Sequence, residues 1–284
     1  MQTLSTPYGE LIPQHTADDL RKRELLPMEY HGSGGIKSVP LETQTVISTP
    51  AGDIPAELVS FHENGTINRI FPLNGKLSGY WSQEDEAGLA RPVTLTTPIG
   101  PIRARIMSVG FYDNLALRSL TLWPGETLSV PTPVGPLEVR IGVSFTPEGR
   151  VRSVEPAKPT AVPTRAGEMT AYDPDAVGVN GDANSLIFDD AGKVCQVITT
   201  LTKLTVVHPD GHTHCHIPEH RESLCSEAEQ EVVPMCVEFD EDTVSIRINP
   251  DRPPLILPRE GHVFFAEPYL PQLANPFAGL HCAI

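Results

Sequence analysis

Thr49-Pro50-Ala51-Gly52, then Phe61, His62-Glu63-Asn64-Gly65, Ile67 and Ile70: this stretch decides the reading of the chain, because both of its phrases recur. The Thr-Pro-x-Gly phrase opens at Thr6, Thr49, Thr97 and Thr132, with a degraded copy at Thr164-Arg165-Ala166-Gly167. Downstream of each, an aromatic is followed six residues later by an aliphatic and three residues after that by another. The triples are Tyr30/Ile36/Val39, Phe61/Ile67/Ile70, Phe111/Leu117/Leu120, Phe145/Val151/Val154 and Phe188/Val194/Val197. Repetition at tens of residues means one supersecondary unit copied and stacked.

The unit reads as strand, tight turn, strand, turn, strand. In the second copy Ile54–Phe61 is β-rich, His62-Glu63-Asn64-Gly65 is a hairpin turn and Thr66–Leu73 returns. Asn74-Gly75 makes a further turn before a third short strand, Lys76–Trp81. The turn glycine supplies a positive φ, and the third copy carries Leu115 there, which predicts a different turn. Proline cannot donate to a ladder, so Thr-Pro-x-Gly is expected at a strand start or on an edge. Two aliphatics three apart break the strand period of two, which calls for a bulge or for a sheet covered on both faces. Helix signals are confined to Thr16–Leu26 and Ser223–Glu231, and Ser82–Arg91 reads as a charged loop. After Val207 the clear repeat stops, although Phe239 followed by Val244 fits a sixth copy with one residue lost.

The expected fold is therefore all-β: stacked hairpin repeats in an elongated twisted sheet or β-solenoid. Residues 1–207 form the array, and residues 208–284 an atypical His/Cys-rich C-terminal cap with a proline-rich tail. The 29 prolines and 22 glycines in 284 residues suit short strands and turns rather than long helices. A net charge of −15 argues against nucleic acid and anionic membrane surfaces, which need clustered Lys and Arg. Residues 1–12 have no basic, apolar leader character and no transmembrane run occurs. The five irregularly spaced cysteines are then expected as reduced thiols in the cytoplasm.

Gly65-Thr66-Ile67-Asn68-Arg69-Ile70 followed by Asn74-Gly75-Lys76-Leu77-Ser78-Gly79-Tyr80-Trp81 resembles the MORN-type repeat, including its YwqK-like antitoxin variant. The resemblance covers about 20 residues of one copy, and copies one, three and four lack the Asn-Gly-Lys turn. It implies a stacked-hairpin sheet presenting a surface to partners, and it implies no catalytic residue.

Two constellations carry chemistry. Five of the ten histidines fall between His208 and His220, with Cys225 and Cys236 nearby. Imidazole and thiolate suit zinc, nickel or copper, so His208, His212, His214, Cys215, His216, His220, Cys225 and Cys236 are candidate ligands. On an extended strand His212, His214 and His216 share one face, with Cys215 opposite. The spacing matches no standard zinc motif, and the reading set against a metal site is a solvated loop joining array to cap. The second is a ladder of positive charge: stacking in register lines up Lys37, Arg69, Arg118 and Arg152. That makes either a groove for an anionic ligand or acidic partner segment, or a solvated face with each base paired to an acid such as Glu155.

No nucleophile elbow, P-loop or dinucleotide fingerprint is present. The expected role is a non-catalytic cytoplasmic β-repeat scaffold or protein-binding module with a protein partner. The alternative is a transition-metal-binding sensor, store or metallochaperone using the C-terminal cluster. A metal-dependent hydrolase, with Glu219 or Glu222 as base, ranks third.

Overall fold

The computed structural model describes residues 3–17, 23–74, 85, 88–176, 181–182, 184–222 and 230–270. These residues are almost entirely β, in mostly antiparallel sheets with one isolated parallel bridge, Tyr172 to Thr199, and no barrel closes among them. Two compact units form: Met1–Pro131 with Glu138–Ser153 and Val177–Ala183, and Thr132–Leu137 with Val154–Ala176 and Asn184–Ile284. Position 208 falls inside the second unit.

Each copy contributes an antiparallel pair to a main sheet and a two-stranded arm. In the first unit the main sheet runs Glu29–Tyr30, Ile36–Thr49, Gly52–Phe61, Ile67–Phe71, Ile106–Phe111, Leu117–Leu122 and, from Glu138 onward, the strand Gly135–Phe145. The arms end in the Thr-Pro-x-Gly phrase, as in Val93–Thr97 with Gly100–Ala104. The proline lies in the turn itself, not at a strand start, because Thr97 and Gly100 are already ladder partners. In all five copies the threonine Oγ1 donates to the glycine carbonyl, at 2.5–2.8 Å. The turn thus satisfies its own polar groups in a place where proline has no N–H to offer.

The second phrase is a bulged hairpin. The aromatic pairs directly with the first aliphatic: Tyr30 with Ile36, Phe61 with Ile67, Phe111 with Leu117 and Phe188 with Val194. One residue later the register slips, leaving Lys37, Asn68, Arg118 and Cys195 as the extra residue. The bulge is what allows aliphatics three apart to face the same side. The second aliphatics Val39, Ile70 and Leu120 then line up with their cross-strand partners Val59, Val109 and Val143 in one row, all buried. Each contributes about 1.5–3 kcal/mol relative to an exposed position. One residue along, Ser60, Arg69, Gly110, Ser119 and Ser144 make the opposite row.

The turns share one geometry. The amide of the first residue donates to the carbonyl four on, and the fourth amide returns to the first carbonyl, at His31, His62, Tyr112, Thr146, Asp189 and His208. Leu115 does not change the turn; it adopts φ +66° in the place where other copies have glycine at +77° to +86°. Consecutive copies are tied here. His31 Nε2 meets the Phe61 carbonyl at 3.0 Å, His62 Nε2 the Phe111 carbonyl at 3.1 Å, and Tyr112 Oη the Phe145 carbonyl at 2.8 Å.

In the second unit Leu186–Phe188, Val194–Thr199, Met235–Phe239, Thr243–Arg247 and Leu255–Pro258 form the main sheet in that order. Phe239 pairs with Val244, so the expected sixth copy exists with a turn one residue shorter. Beside it stand Thr160–Thr164 with Gly167–Ala171, Glu219–Glu222 with Gln230–Val233, and a three-stranded sheet, Thr213–His216, Thr202–Val207 and Val263–Pro268.

Much of the two expected helices falls outside the described residues, and neither has a helical residue among those described. Within Thr16–Leu26, residues 18–22 lie outside the described residues and the rest is irregular apart from a bridge at Arg23. Within Ser223–Glu231, residues 223–229 lie outside, and Gln230 begins a strand. In the expected loop Ser82–Arg91, Asp85, Gly88 and Leu89 are helical. The third strand, Lys76–Trp81, and all of the tail after Leu270 lie outside the described residues. Among the described residues no helix is long and apolar enough to cross a membrane.

Candidate functional site

Thr202–Val207 alternates buried Thr202, Leu204 and Val206 with half-buried Lys203, Thr205 and Val207, so one face of this strand belongs to the core. It then turns at His208-Pro209-Asp210-Gly211, another hairpin turn, with the same two backbone hydrogen bonds as Thr146-Pro147-Glu148-Gly149. Gly211 takes φ +86°, and Asp210 Oδ1 accepts the His212 amide at 3.0 Å. The returning strand sets Val206 opposite His214, Thr205 opposite Cys215 and Leu204 opposite His216. His214 and His216 therefore share the core-side face of Leu204 and Val206, and Cys215 takes the outer face.

The third strand brings in a residue that sequence reasoning missed. Val207 pairs with Val263 on its other side, which places His262 beside His208. His208 is the hub: its Nε2 lies 3.0 Å from His214 Nδ1, and its Nδ1 lies 3.2 Å from His262 Nε2. Both neighbours meet it edge-on, at interplanar angles of 79° and 74°. His262 stacks on Phe264 with ring centroids 6.3 Å apart, and its Nδ1 faces the Glu260 carbonyl at 3.4 Å. Burial, then the charges of His214 and His208, hold the His216 pKa below the usual histidine value. Its Nε2 is buried without a hydrogen-bond partner among the described residues.

The other candidate ligands go elsewhere. His212 closes the turn through its backbone. His220 Nε2 meets Tyr269 Oη at 3.3 Å, and Cys225 lies outside the described residues. Cys236 sits in a different strand, where burial, then Glu238, raises its pKa to about 12, so it stays a thiol. It lines a cleft of about 410 Å³ with Asp173, Asp175, Arg221, Glu238 and Arg247, which supplies charge but no activated nucleophile from this cysteine. Glu219, a proposed base, accepts from Asn249 Nδ2 and Arg252 Nη1, both at 3.1 Å. The side chain of Glu222 lies outside the described residues. No group of three or more His, Cys, Asp or Glu among the described residues surrounds a single point.

The basic ladder divides. Lys37 pairs with Glu29 at 2.9 Å on the surface, and Arg152 is exposed. Arg69 and Arg118 converge. The bulge in each copy makes Arg118 the extra residue, whereas the extra residue beside it is Asn68, with Arg69 one further on. Arg118 Nη2 donates to Asn68 Oδ1 at 3.2 Å. Buried Arg69 donates from Nη2 to Asp182 Oδ2 at 2.6 Å and from Nη1 to Ser108 Oγ at 3.1 Å, and Arg118 Nη2 lies 3.8 Å from the same Asp182 oxygen. Gly181 lies so close to the Leu120 carbonyl that a Cβ there has no room. Its amide donates to Thr121 Oγ1 at 2.7 Å. The convergent cations are thus met by the chain's own carboxylate. Glu155 likewise turns inward, accepting the Ser185 amide at 2.7 Å.

No family model, no curated protein and no solved structure matches the chain.

Proposed function

We propose that the protein is a non-catalytic binding module that recruits another protein by strand addition at Leu255–Pro258. The observation that supports this is an unfinished row of core. Leu186, Val197, Val237 and Ile246 pair in succession and are all buried, and the next member, Leu255, is 41% exposed. Its neighbour Ile256, on the other face, is 61% exposed. Leu255–Pro258 ends the strand order, so its outer side has no strand partner among the described residues.

An extended segment from a partner would complete the ladder and cover Leu255, with main-chain hydrogen bonds giving affinity and the flanking aliphatics giving selectivity. Pro253, Pro254 and Pro258 bracket the strand, which limits the addition to one short segment and guards against open-ended stacking. The repeat supplies the rigid backing, since each strand behind the edge is held in register by the one before it.

A photo-crosslinking residue at position 256, used in native extract, tests the reading. The expected product is a specific adduct with one other protein that Leu255→Lys abolishes without changing the thermal midpoint. An adduct that survives Leu255→Lys unchanged, or adducts only with a second copy of this chain, would reject recruitment at this edge.

A further inference from the structure

The three-imidazole chain is a consequence of how turns stack. Pro209 lies on Gly261, where an added Cβ would come within 3.1 Å of the proline Cγ. The residues flanking that contact, His208 and His262, are therefore brought together across 54 positions of sequence. The hydrogen-bond chain then has a direction. The Glu260 carbonyl can only accept, so His262 offers it Nδ1–H and keeps the lone pair on Nε2. That lone pair accepts Nδ1–H from His208, which leaves the His208 Nε2 lone pair pointing at His214 Nδ1. A carbonyl–imidazole–imidazole relay of this kind orients a ligating histidine and fixes its tautomer.

We propose that His208 Nε2 and His214 Nδ1 together hold a first-row divalent transition ion of the zinc, nickel or copper type. His262 is the positioning residue. Two nitrogens each about 2.05 Å from a tetrahedral ion lie about 3.3 Å apart. The observed 3.0 Å separation needs an opening of only a few tenths of an ångström. The ion takes the place of the proton between the two nitrogens; that proton passes through solvent to His214 Nε2, so both rings stay neutral. His214 is exposed, which gives the ion a path in. The remaining coordination positions go to water, as no third such side chain reaches this point among the described residues. The result is an exchangeable ion rather than a buried structural one. Soft thiolate plays no part, because Cys215 is on the opposite face.

The competing explanation is chelation by His212, His214 and His216 acting as a short unstructured tag. The two differ in their need for His208 and His262. Calorimetric titration of zinc or nickel into the full untagged chain is the test. One ion per chain is expected, with affinity lost in His208→Gln, reduced about 10–100-fold in His262→Gln, and unchanged in Cys215→Ser. Circular dichroism without metal establishes that each variant is folded. A second measurement needs no variant: metal is expected to protect His208 and His214 from diethyl pyrocarbonate, mapped by mass spectrometry, while exposed His15 stays reactive. Wild-type affinity in both glutamine variants, or protection confined to His212 and His216, overturns the site.

Discussion

Pro98, from the Thr-Pro-x-Gly turn of one copy, lies on Gly149, in the hairpin turn of the next: a Cβ added to Gly149 would come within 3.2 Å of the proline Cβ. Pro133 stands in the same relation to Gly192, at 3.3 Å. The glycine is thus required twice, by its φ of +84° and by its neighbour. Gly65 has nearly the same φ, +83°, and no atom within 4 Å of an added Cβ. Gly65→Ala is expected to cost about 1–2 kcal/mol for the left-handed backbone alone. Gly149→Ala should cost more, and the difference in urea midpoints measures the proline contact.

Leu115 bears the left-handed conformation without being glycine. Leu115→Gly should therefore be more stable than Leu115→Ala by about 1 kcal/mol, the reverse of the order at an ordinary strand position. Paired chemical denaturation of the two variants checks it.

Tyr112 Oη donates to the Phe145 carbonyl, one of the ties between consecutive copies. Tyr112→Phe removes the hydroxyl and little else. A loss of about 1 kcal/mol is expected, with the hydrogen-exchange rate of the 146–150 turn rising more than that of the 62–66 turn.

Arg69 is buried and Asp182 is not fully so, with side-chain exposures of 8% and 38%. Removing the acid strands a buried cation, whereas removing the base leaves a carboxylate that water can reach. Asp182→Ala should cost about 3 kcal/mol, and the double variant Arg69→Met/Asp182→Ala less than that. A double-mutant cycle by thermal melting reads the sign.

Cys236 and Cys215 should differ in alkylation. The Cys236 pKa of about 12 leaves almost no thiolate at pH 8 or 9, because a raised pKa keeps the proton on until the solution approaches that value. Cys215 is exposed and should label with iodoacetamide first. Peptide mapping after a timed pulse would count against this if Cys236 labelled as fast.

The repeat was legible because its constraints are local. A turn that needs a positive φ leaves glycine in the chain, and a bulge leaves aliphatics three apart. The role of Thr-Pro-x-Gly was harder to read, because proline fits a strand start as well as a turn and only the ladder between Thr97 and Gly100 decides. The hairpin turn at His208 lies within a run of histidines, whose metal-binding chemistry masks its Pro-x-Gly pattern. His262 carries no motif, and nothing short of strand pairing brings it to His208. Arg69 stands one residue later in its copy than Arg118 does, and the two meet at Asp182 and Asn68, which no in-register ladder shows.

The proline-on-glycine contact also sets the grain size of change in this chain. The fourth copy supplies the proline for the turn ahead of it, Pro133, and the glycine for the turn behind, Gly149. Cutting out that whole copy would bring Pro98 and Gly192 together as a matching pair, whereas cutting out half of it would leave one of them facing the wrong partner. Growth and loss in such a chain are expected in whole copies, so that its length changes in steps.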